Sequence, residues 1–282
     1  MVYKLIFLFL IGRAGIYTCP YFFALNIRNK YNEYAGYALV MKNNKKIIAV
    51  FPAYNAEKTL KQTLDDIPKG WVDEIILVDD ASTDDTVILS RSLGIKTFAH
   101  QKNIGYGGNQ KTCYQKALEA GADIVVMVHP DHQYDPSNIP QAVLPIIYNE
   151  ADAVFGSRMM ILRQARKGGM PLWKYAANIF LTKLANFILR AKLTEYHSGF
   201  RAYSKKALEV LPFERNSNNF IFDTEIIIQL LNYKFRIKEI PIPTRYFKNA
   251  STINFYQSLI YGLGIVFLLG EYAAANIIWE RK

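Results

Sequence analysis

Residues 74–84 read Glu-Ile-Ile-Leu-Val-Asp-Asp-Ala-Ser-Thr-Asp, a short apolar run joined directly to a cluster of carboxylates and hydroxyls. The apolar part is rich in β-branched residues, which is typical of a strand buried in a sheet. Open α/β sheets bind their ligands just beyond the carboxyl ends of such strands. This stretch therefore predicts an α/β fold, and it predicts that the polar residues after the strand belong to a functional site.

Strand and helix patterns alternate on both sides of this stretch. Predicted strands cover residues 47–51, 74–78, 96–99, 123–128 and 152–155. One predicted helix begins after Asn55, a residue suited to cap a helix. Three others cover residues 83–93, 108–120 and 137–149. This alternating order favours a mainly parallel sheet with helices on both faces.

Chemically active side chains follow three other predicted strands. They lie in Pro-Ala-Tyr-Asn at 52–55, His-Pro-Asp-His-Gln at 129–133 and Gly-Ser-Arg at 156–158. Because the carboxyl ends of parallel strands meet at one edge of a sheet, we expect these side chains to converge there. A purely structural protein has little reason to collect carboxylates, an imidazole and a guanidinium at one edge.

The types of these residues predict a site for a nucleotide with a diphosphate. Asp79 and Asp80 can accept hydrogen bonds from a base or from ribose hydroxyls. Asp131 is well placed to hold Mg²⁺ or Mn²⁺, which prefer oxygen ligands and bridge to diphosphates. Arg158 offers a forked cation that suits phosphate. The glycine-rich run at 105–108 would allow the backbone to approach a ligand closely.

The motifs at 52–55, 78–84 and 103–107 resemble those of family 2 glycosyltransferases with the GT-A fold, and the resemblance covers roughly residues 45–248. Within the family, the chain resembles dolichyl-phosphate mannosyltransferase and related polyprenyl-phosphate glycosyltransferases. That resemblance depends on Gly-Ser-Arg at 156–158, Ser-Gly-Phe-Arg-Ala-Tyr at 198–203 and Thr-Arg-Tyr at 244–246. It implies a Rossmann-like GT-A sheet, mainly parallel, with helices on both faces.

The resemblance also implies an inverting glycosyltransferase with a nucleotide-sugar donor and a divalent metal, Mg²⁺ or Mn²⁺. The implied acceptor is membrane-associated, and a polyprenyl phosphate is favoured. A phosphate monoester is already anionic near neutral pH, so its attack needs positioning and charge neutralisation but no strong base. Cations that would supply both are Lys174, Arg201 and the basic loop with Arg163, Arg166 and Lys167.

Roles for single residues follow from their positions in the family motifs. The implied nucleotide pocket contains Pro52, Tyr54, Val78, Asp79 and Asp80. The implied metal ligands are His129, Asp131 and Gln133. Phosphates of the donor or acceptor would contact Arg158, Lys174, Asn178, Arg201, Lys205 and Arg245. The catalytic set would combine Asp131, Arg158 and Glu195.

The sequence departs from the family pattern at two positions. His129 stands where relatives carry the first aspartate of the metal motif. Imidazole is a poorer ligand for Mg²⁺ than for Mn²⁺ and later metals, so the choice of metal stays open. Ala56 stands where the dolichyl-phosphate enzymes carry a glutamate, with Glu57 one place later, so the donor sugar stays open as well.

An apolar N-terminal extension, residues 1–44, precedes the predicted glycosyltransferase domain at 45–250. Its longest uninterrupted apolar run, Leu5–Gly12, is shorter than the roughly 20 residues that span a bilayer. It reads as a poor signal anchor, or as sequence ahead of a natural start at Met41, which we favour. Deletion of residues 1–40 should then leave a folded protein that binds nucleotide.

The predicted C-terminal helix, residues 251–282, is apolar and has Glu271 as the one charge between Ile253 and Trp279. Its tyrosines and Trp279 suit a boundary between water and lipid. We predict a helix that lies on or dips into the membrane, and the alternative is a helix packed on the domain or in a dimer. The predicted location is cytoplasmic, peripheral on the cytoplasmic face of the membrane.

The formal net charge of +10 favours an anionic partner such as anionic lipid or a phosphorylated substrate. No compact run of five basic residues occurs, which argues against nucleic acid as a partner. Cys19 and Cys113 are far apart in the sequence, so the two cysteines predict neither a disulfide framework nor a zinc site. The predicted partners are therefore the donor, a lipid-linked or glycan acceptor and a membrane surface.

Three other functions remain open from the sequence. Transfer to a glycan hydroxyl would need a general base, and Glu195 is the candidate. A nucleotide-binding protein without turnover is the second possibility, and His129 favours it. A nucleotidyltransferase is disfavoured because residues 52–55 lack the glycine- and arginine-rich loop of that class.

Overall fold

A seven-stranded sheet forms the centre of the protein in a computed structural model that describes residues 42–161, 164–243 and 255–280. The strands are β1 (Ile47–Ala53), β2 (Glu74–Asp79), β3 (Lys96–Ala99), β4 (Ile124–Met127), β5 (Ala153–Ser157), β6 (Arg201–Ser204) and β7 (Ile237–Pro241). Their order across the sheet is β3-β2-β1-β4-β6-β5-β7. The five strands predicted from the sequence are therefore confirmed as β1 to β5, with small shifts at their ends.

The helices are α1 (Glu57–Asp65), α2 (Thr86–Ser92), α3 (Tyr106–Glu119), α4 (Ile139–Ile147), α5 (Gln164–Lys167), α6 (Leu172–Leu189), α7 (Lys205–Val210), α8 (Phe222–Asn232) and α9 (Phe255–Glu280). Short 3₁₀ turns cover Pro136–Asn138 and Phe213–Arg215. The predicted helices correspond to α1 to α4. Asn55 does not cap α1, because its backbone has φ +52° and its side chain accepts a hydrogen bond from the Thr83 N–H at 2.9 Å. Asp84 instead accepts from the first N–H of α1, that of Glu57, at 3.2 Å.

Both faces of the sheet are covered by apolar side chains. Every residue of β1 and β4 is buried, which is typical of central strands in a mainly parallel sheet. Alternate residues point to opposite faces, so Ile48 and Val50 belong to one apolar cluster while Ile47 and Phe51 belong to the other. The predicted α/β fold with helices on both faces is confirmed.

Strand β6 runs antiparallel between β4 and β5, which the sequence analysis did not predict. Met127 pairs with Arg201, and Ile124 pairs with Ser204. The start of β6 therefore lies at the carboxyl edge of the parallel strands, and its end lies at the opposite edge. This reversal decides which of the residues after position 195 reach the functional site.

Helix α9 packs on α6 at one side of the domain. Its segment Tyr256–Ala275 is long and apolar enough to cross a membrane, with a mean hydropathy of 1.6 and 11% of its most apolar window buried in the protein. The predicted apolar C-terminal helix is thus present from residue 255 onward. The N-terminal extension, as far as residue 41, lies outside the described residues, so its predicted role stays a prediction.

Candidate functional site

A cleft of about 790 Å³ opens at the carboxyl edge of the parallel strands. Residues after β1, β2, β4 and β5 line its floor, and residues of α6 and α9 form a wall. Its volume lies within the range of about 300–1,000 Å³ that is common for sites of small-molecule ligands. The loops after the strands thus converge as the sequence predicts.

The predicted nucleotide residues divide between the cleft and the core. Pro52, Tyr54 and Asp80 line the cleft. Val78 is fully buried within the apolar core. Asp79 is buried too, and its carboxylate accepts hydrogen bonds from the N–H, at 2.9 Å, and from the hydroxyl of Ser82. Asp79 therefore shapes the turn after β2, while Asp80 is the carboxylate available to a ligand.

Asp80 also organises the loop that carries the glycines. Its two carboxylate oxygens accept from the N–H groups of Ile104 at 2.9 Å and Gly105 at 3.0 Å. His100 Nδ1 lies 2.9 Å from Asp80 Oδ1, and its Nε2 lies 3.0 Å from the Thr112 hydroxyl of α3. A carboxylate can accept about four hydrogen bonds, so Asp80 keeps capacity for a ligand.

The glycine-rich run was predicted to approach a ligand closely, but two of its glycines approach the protein's own backbone. The N–H groups of Gly107 and Gly108 donate to the carbonyl of Asn218, at 2.8 and 3.2 Å. A Cβ at Gly107 would lie 2.5 Å from the Ser217 carbonyl oxygen. The expected role of these glycines is thus corrected: they let the loop 217–219 cap α3, although Gly105 still lines the cleft.

Gly107→Ala should destabilise the protein by about 1–3 kcal/mol, because the added methyl group has backbone carbonyls on two sides and no room to relax. Gly270→Ala is the matched control, since Gly270 also lies in a helix but no neighbouring atom among the described residues comes within 4 Å of the added methyl group. Alanine is the better helix former, so that control should be neutral or stabilising. Urea unfolding measures the free energy of unfolding of both variants. Equal values would contradict the close approach of Gly107 to the Ser217 carbonyl.

Asp131 and Gln133 line the cleft after β4. The Gln133 N–H donates to Asp131 Oδ1 at 3.0 Å. Burial raises the pKa of Asp131 to about 6, although backbone hydrogen bonds oppose the shift. A divalent cation would balance this buried carboxylate. Within the described part of the chain no cluster of three or more His, Cys, Asp or Glu side chains could hold a metal, so a diphosphate and water would have to complete the coordination.

His129 is turned toward protein groups. Its ring stacks on Tyr106 at 5.5 Å between centroids, and its Nε2 lies 3.4 Å from the Tyr106 hydroxyl. The same nitrogen touches the position that a Cβ at Gly199 would occupy. Burial, helped by the positive charge of Arg201, lowers the pKa of His129 to about 4. His129 also lines the cleft, but its Nε2 faces the Tyr106 hydroxyl, so its metal role stays a prediction, whereas Asp131 and Gln133 fit an oxygen-liganded cation.

Arg158 and Glu195 form a buried ion pair beside the cleft. Arg158 donates to Glu195 from its backbone N–H at 2.7 Å, from Nε at 2.7 Å and from Nη2. Asn178 Nδ2 of α6 donates to the same carboxylate at 2.8 Å. Burial alone would raise the pKa of Glu195, but Arg158 holds it below its ordinary value. Because both its oxygens are engaged, Glu195 is arranged to position Arg158 and Asn178.

Lys174 of α6 adds a second cation to the wall of the cleft, beside Arg158. It lines the cleft with Arg158 and Asn178, and its amine lies 5.3 Å from the centre of the Trp173 ring. Burial, followed by the positive charge of Arg158, lowers the pKa of Lys174. An anion between these two cations would relieve their repulsion, so the wall is suited to phosphate.

Two of the other predicted phosphate residues, Arg201 and Lys205, do not reach the cleft wall. Arg201 is fully buried and donates to the carbonyls of Tyr196, Ser198 and Asp223, at 2.8–3.1 Å. Lys205 lies at the opposite edge of the sheet, because β6 is antiparallel, and its N–H donates to the Asp123 carbonyl. The prediction that Arg201 and Lys205 contact phosphate is therefore corrected.

Two further predicted cations, Arg163 and Arg245, lie outside the described residues. Of the other basic-loop residues, Arg166 donates to the Met170 carbonyl and Lys167 is exposed. Their roles as phosphate-binding residues stay predictions.

Four cleft residues were not among those predicted from the sequence, namely Tyr106, His197, Asp223 and Tyr261. Tyr106 donates from its hydroxyl to Asp223 at 2.9 Å, and the Tyr261 hydroxyl lies 2.9 Å from His197 Nδ1. All four line the cleft. Tyr106 lies inside a quoted motif, so its position was a usable signal. Asp223 and Tyr261 belong to α8 and α9, and no local sequence pattern predicts where these helices pack.

Comparison with known proteins agrees with this geometry. The family model described as Glycosyl transferase family 2 matches residues 48–211. The UDP-N-acetylglucosamine–dolichyl-phosphate N-acetylglucosaminyltransferase of Methanococcus voltae is 32% identical over 220 residues, which cover 72% of this chain and 87% of the relative. The dolichyl-phosphate hexose transferase of Haloferax volcanii is 28% identical over 203 residues, covering 71% and 82%.

Among solved structures, glucosyl-3-phosphoglycerate synthase from Mycobacterium tuberculosis, in complex with Mn²⁺ and UDP-glucose, has a TM-score of 0.66 at 20% identity. The match covers 85% of this chain and 83% of that chain, and it concerns the GT-A fold. The predicted fold and the predicted family are therefore both confirmed. Since the family model spans more than half of the residues, this chain belongs to glycosyl transferase family 2.

Proposed function

We propose that this glycosyltransferase moves a sugar from a nucleotide-sugar donor to a polyprenyl phosphate at the cytoplasmic face of the membrane, with inversion at the anomeric carbon. Two relatives support this proposal, because both are named as transferases that act with dolichyl phosphate. The donor of the first relative is UDP-N-acetylglucosamine, which makes a uridine nucleotide the first donor to test.

One observation carries the proposal: α9 lines the cleft and also exposes an apolar surface. Gln257, Ser258 and Tyr261 line the cleft together with Lys174 and Arg158. On the other side of the same helix Leu259, Leu263 and Phe267 are each more than half exposed. A lipid phosphate has an anionic head and an apolar chain, and this arrangement gives each part a matching surface.

The donor would occupy the other end of the cleft. Pro52 and Tyr54 would pack against the base, and Asp80 would accept hydrogen bonds from the nucleoside. Asp131, helped by Gln133, would hold a divalent cation, which neutralises the charge that develops on the departing diphosphate. The solved relative in complex with Mn²⁺ and UDP-glucose supports Mn²⁺ as the first metal to test.

The reaction is a single displacement. An oxygen of the acceptor phosphate attacks the anomeric carbon while the bond from that carbon to the donor diphosphate breaks, and the nucleoside diphosphate leaves. Arg158 and Lys174 would hold the phosphates in line for this attack. Because the attacking oxygen is already anionic, no side chain has to remove a proton, and Glu195 is left to hold Arg158.

The experiment offers the purified protein, with UDP-sugars and Mn²⁺, a polyprenyl phosphate in detergent micelles. The same polyprenol without phosphate is the matched control acceptor. Transfer to the phosphate should be at least about 10²-fold faster, because an alcohol must lose its proton to a general base during attack whereas a phosphate oxygen is already anionic. Nuclear magnetic resonance of the product should show an inverted anomeric centre.

Two outcomes would overturn the proposal. Transfer to an oligosaccharide but not to polyprenyl phosphate would make the glycan hydroxyl the acceptor. Donor binding without transfer to any acceptor or to water would favour a nucleotide-binding protein.

A further inference from the structure

Helix α9 has two faces with different surroundings. Residues of its inner face include Ile265 and Leu269, which are fully buried, and Tyr261, which lines the cleft. Its outer face exposes Tyr256, Leu259, Ile260, Leu263 and Phe267. The two sets recur with helical spacing, so the surface available to lipid and the wall of the cleft belong to one rigid element.

The inner face contacts the cleft through Tyr261. Its hydroxyl lies 2.9 Å from His197 Nδ1, and the two rings meet edge to face at 5.6 Å. Tyr261 also packs edge to face against Phe220, at 6.3 Å between ring centres. The tyrosine thus holds the imidazole of His197 in one orientation.

His197 belongs to a segment, residues 195–199, that holds Arg158. The His197 carbonyl accepts a hydrogen bond from Arg158 Nη2 at 3.0 Å, and the Glu195 carboxylate accepts from Nε at 2.7 Å. The guanidinium therefore takes its position from two residues of this segment. Of these two, His197 is in direct contact with α9 through its side chain.

We propose that Tyr261 is a positioning residue that fixes His197 and, through the His197 carbonyl, aligns the Arg158 guanidinium for sugar transfer. The helix that faces the lipid then also completes the phosphate-binding wall. This inference deepens the proposed function and rests on it for the role of Arg158.

A second tyrosine provides a matched control. The Tyr272 hydroxyl donates to Asn232 Oδ1 of α8 at 2.8 Å. It lies eleven residues further along α9, about 16 Å along the helix axis, and it does not line the cleft as described. Tyr272→Phe therefore removes a comparable anchor of the helix without touching the segment that holds Arg158.

The experiment compares Tyr261→Phe with Tyr272→Phe in the full chain, with a UDP-sugar, Mn²⁺ and a polyprenyl phosphate. Tyr261→Phe should lower kcat about tenfold and leave the donor KM within about twofold, since the loss of one hydrogen bond acts on turnover. Tyr272→Phe should leave kcat within about twofold. Equal kcat values for the two variants would overturn the inference.

A double-mutant cycle tests whether the effect passes through Arg158. In an Arg158→Lys background, Tyr261→Phe should lower kcat by less than about twofold, because the group it positions is already gone. A full tenfold loss in that background would show that Tyr261 acts by another route.

The inference and the proposed function fail in different ways. If the wild type does not use polyprenyl phosphate, the proposed acceptor is wrong. The same comparison of variants can then be made on hydrolysis of the donor, where water is the acceptor and Arg158 still faces the diphosphate. Equal rates of hydrolysis for Tyr261→Phe and Tyr272→Phe would overturn the inference there too.

Discussion

Asp131→Ala should reduce sugar transfer by at least about 10³-fold while the protein stays folded, because stabilisation of the departing diphosphate is lost. Asp131 is the one acidic side chain that lines the cleft directly after β4, and burial already raises its pKa to about 6. The substitution removes the hydrogen bond from the Gln133 N–H but also removes the cost of burying a charge, so the free energy of unfolding should change by no more than about 1 kcal/mol. Transfer rates and urea unfolding measure the two effects separately.

A binding measurement ties this loss to the metal. Mn²⁺ together with UDP should raise the thermal midpoint of the wild type, because ligands that bind the native state stabilise it. The increment due to Mn²⁺ should vanish in Asp131→Ala. Asp135→Ala is the control, since Asp135 caps the 3₁₀ turn through the Ser137 N–H at 3.0 Å and does not line the cleft as described. Full activity of Asp131→Ala in Mn²⁺ would remove this residue from the mechanism.

Glu195→Gln should lower the free energy of unfolding by about 3–5 kcal/mol, because it leaves the buried Arg158 without its counter-charge. It should also lower kcat, since the guanidinium loses its alignment. The expected pH dependence has a definite sign. The folded pKa of Glu195 is held below its ordinary value, so the contribution of the ionised carboxylate is complete above that value and is lost as the pH falls through the folded pKa. The stability gap to the wild type should therefore narrow on acidification.

Glu239→Gln is the matched control for this change. Glu239 accepts from the Thr194 N–H at 2.8 Å and from the Glu195 N–H at 3.1 Å. The donors in these contacts are backbone N–H groups, whereas the main donor to Glu195 is an arginine. Its substitution should cost about 1–2 kcal/mol, because glutamine keeps one oxygen that can accept from these donors and no arginine in these contacts loses its counter-charge. A Glu195→Gln protein with wild-type stability and no transfer to a hydroxyl acceptor would instead identify Glu195 as a general base.

The sequence by itself determined the α/β class, the strands β1 to β5 and the edge of the sheet at which the site lies. These features depend on local patterns: an apolar run marks a buried strand, and the residue after it lies at the carboxyl edge whatever the rest of the chain does. For this reason Pro52, Asp80, Asp131 and Arg158 could be assigned to one cleft before any contact was known.

Only the tertiary structure decided what the later residues do. The reversal of β6 buries Arg201 and carries Lys205 to the far edge, and no local pattern distinguishes that direction from a parallel one. Glu195 and Arg158 are 37 residues apart, so their pairing depends on how α6 returns the chain to the sheet. Tyr261 reaches His197 across 64 residues for the same reason. Contacts between distant segments follow from how whole elements pack, and that packing is driven by the burial of apolar surface from segments that are far apart in the sequence.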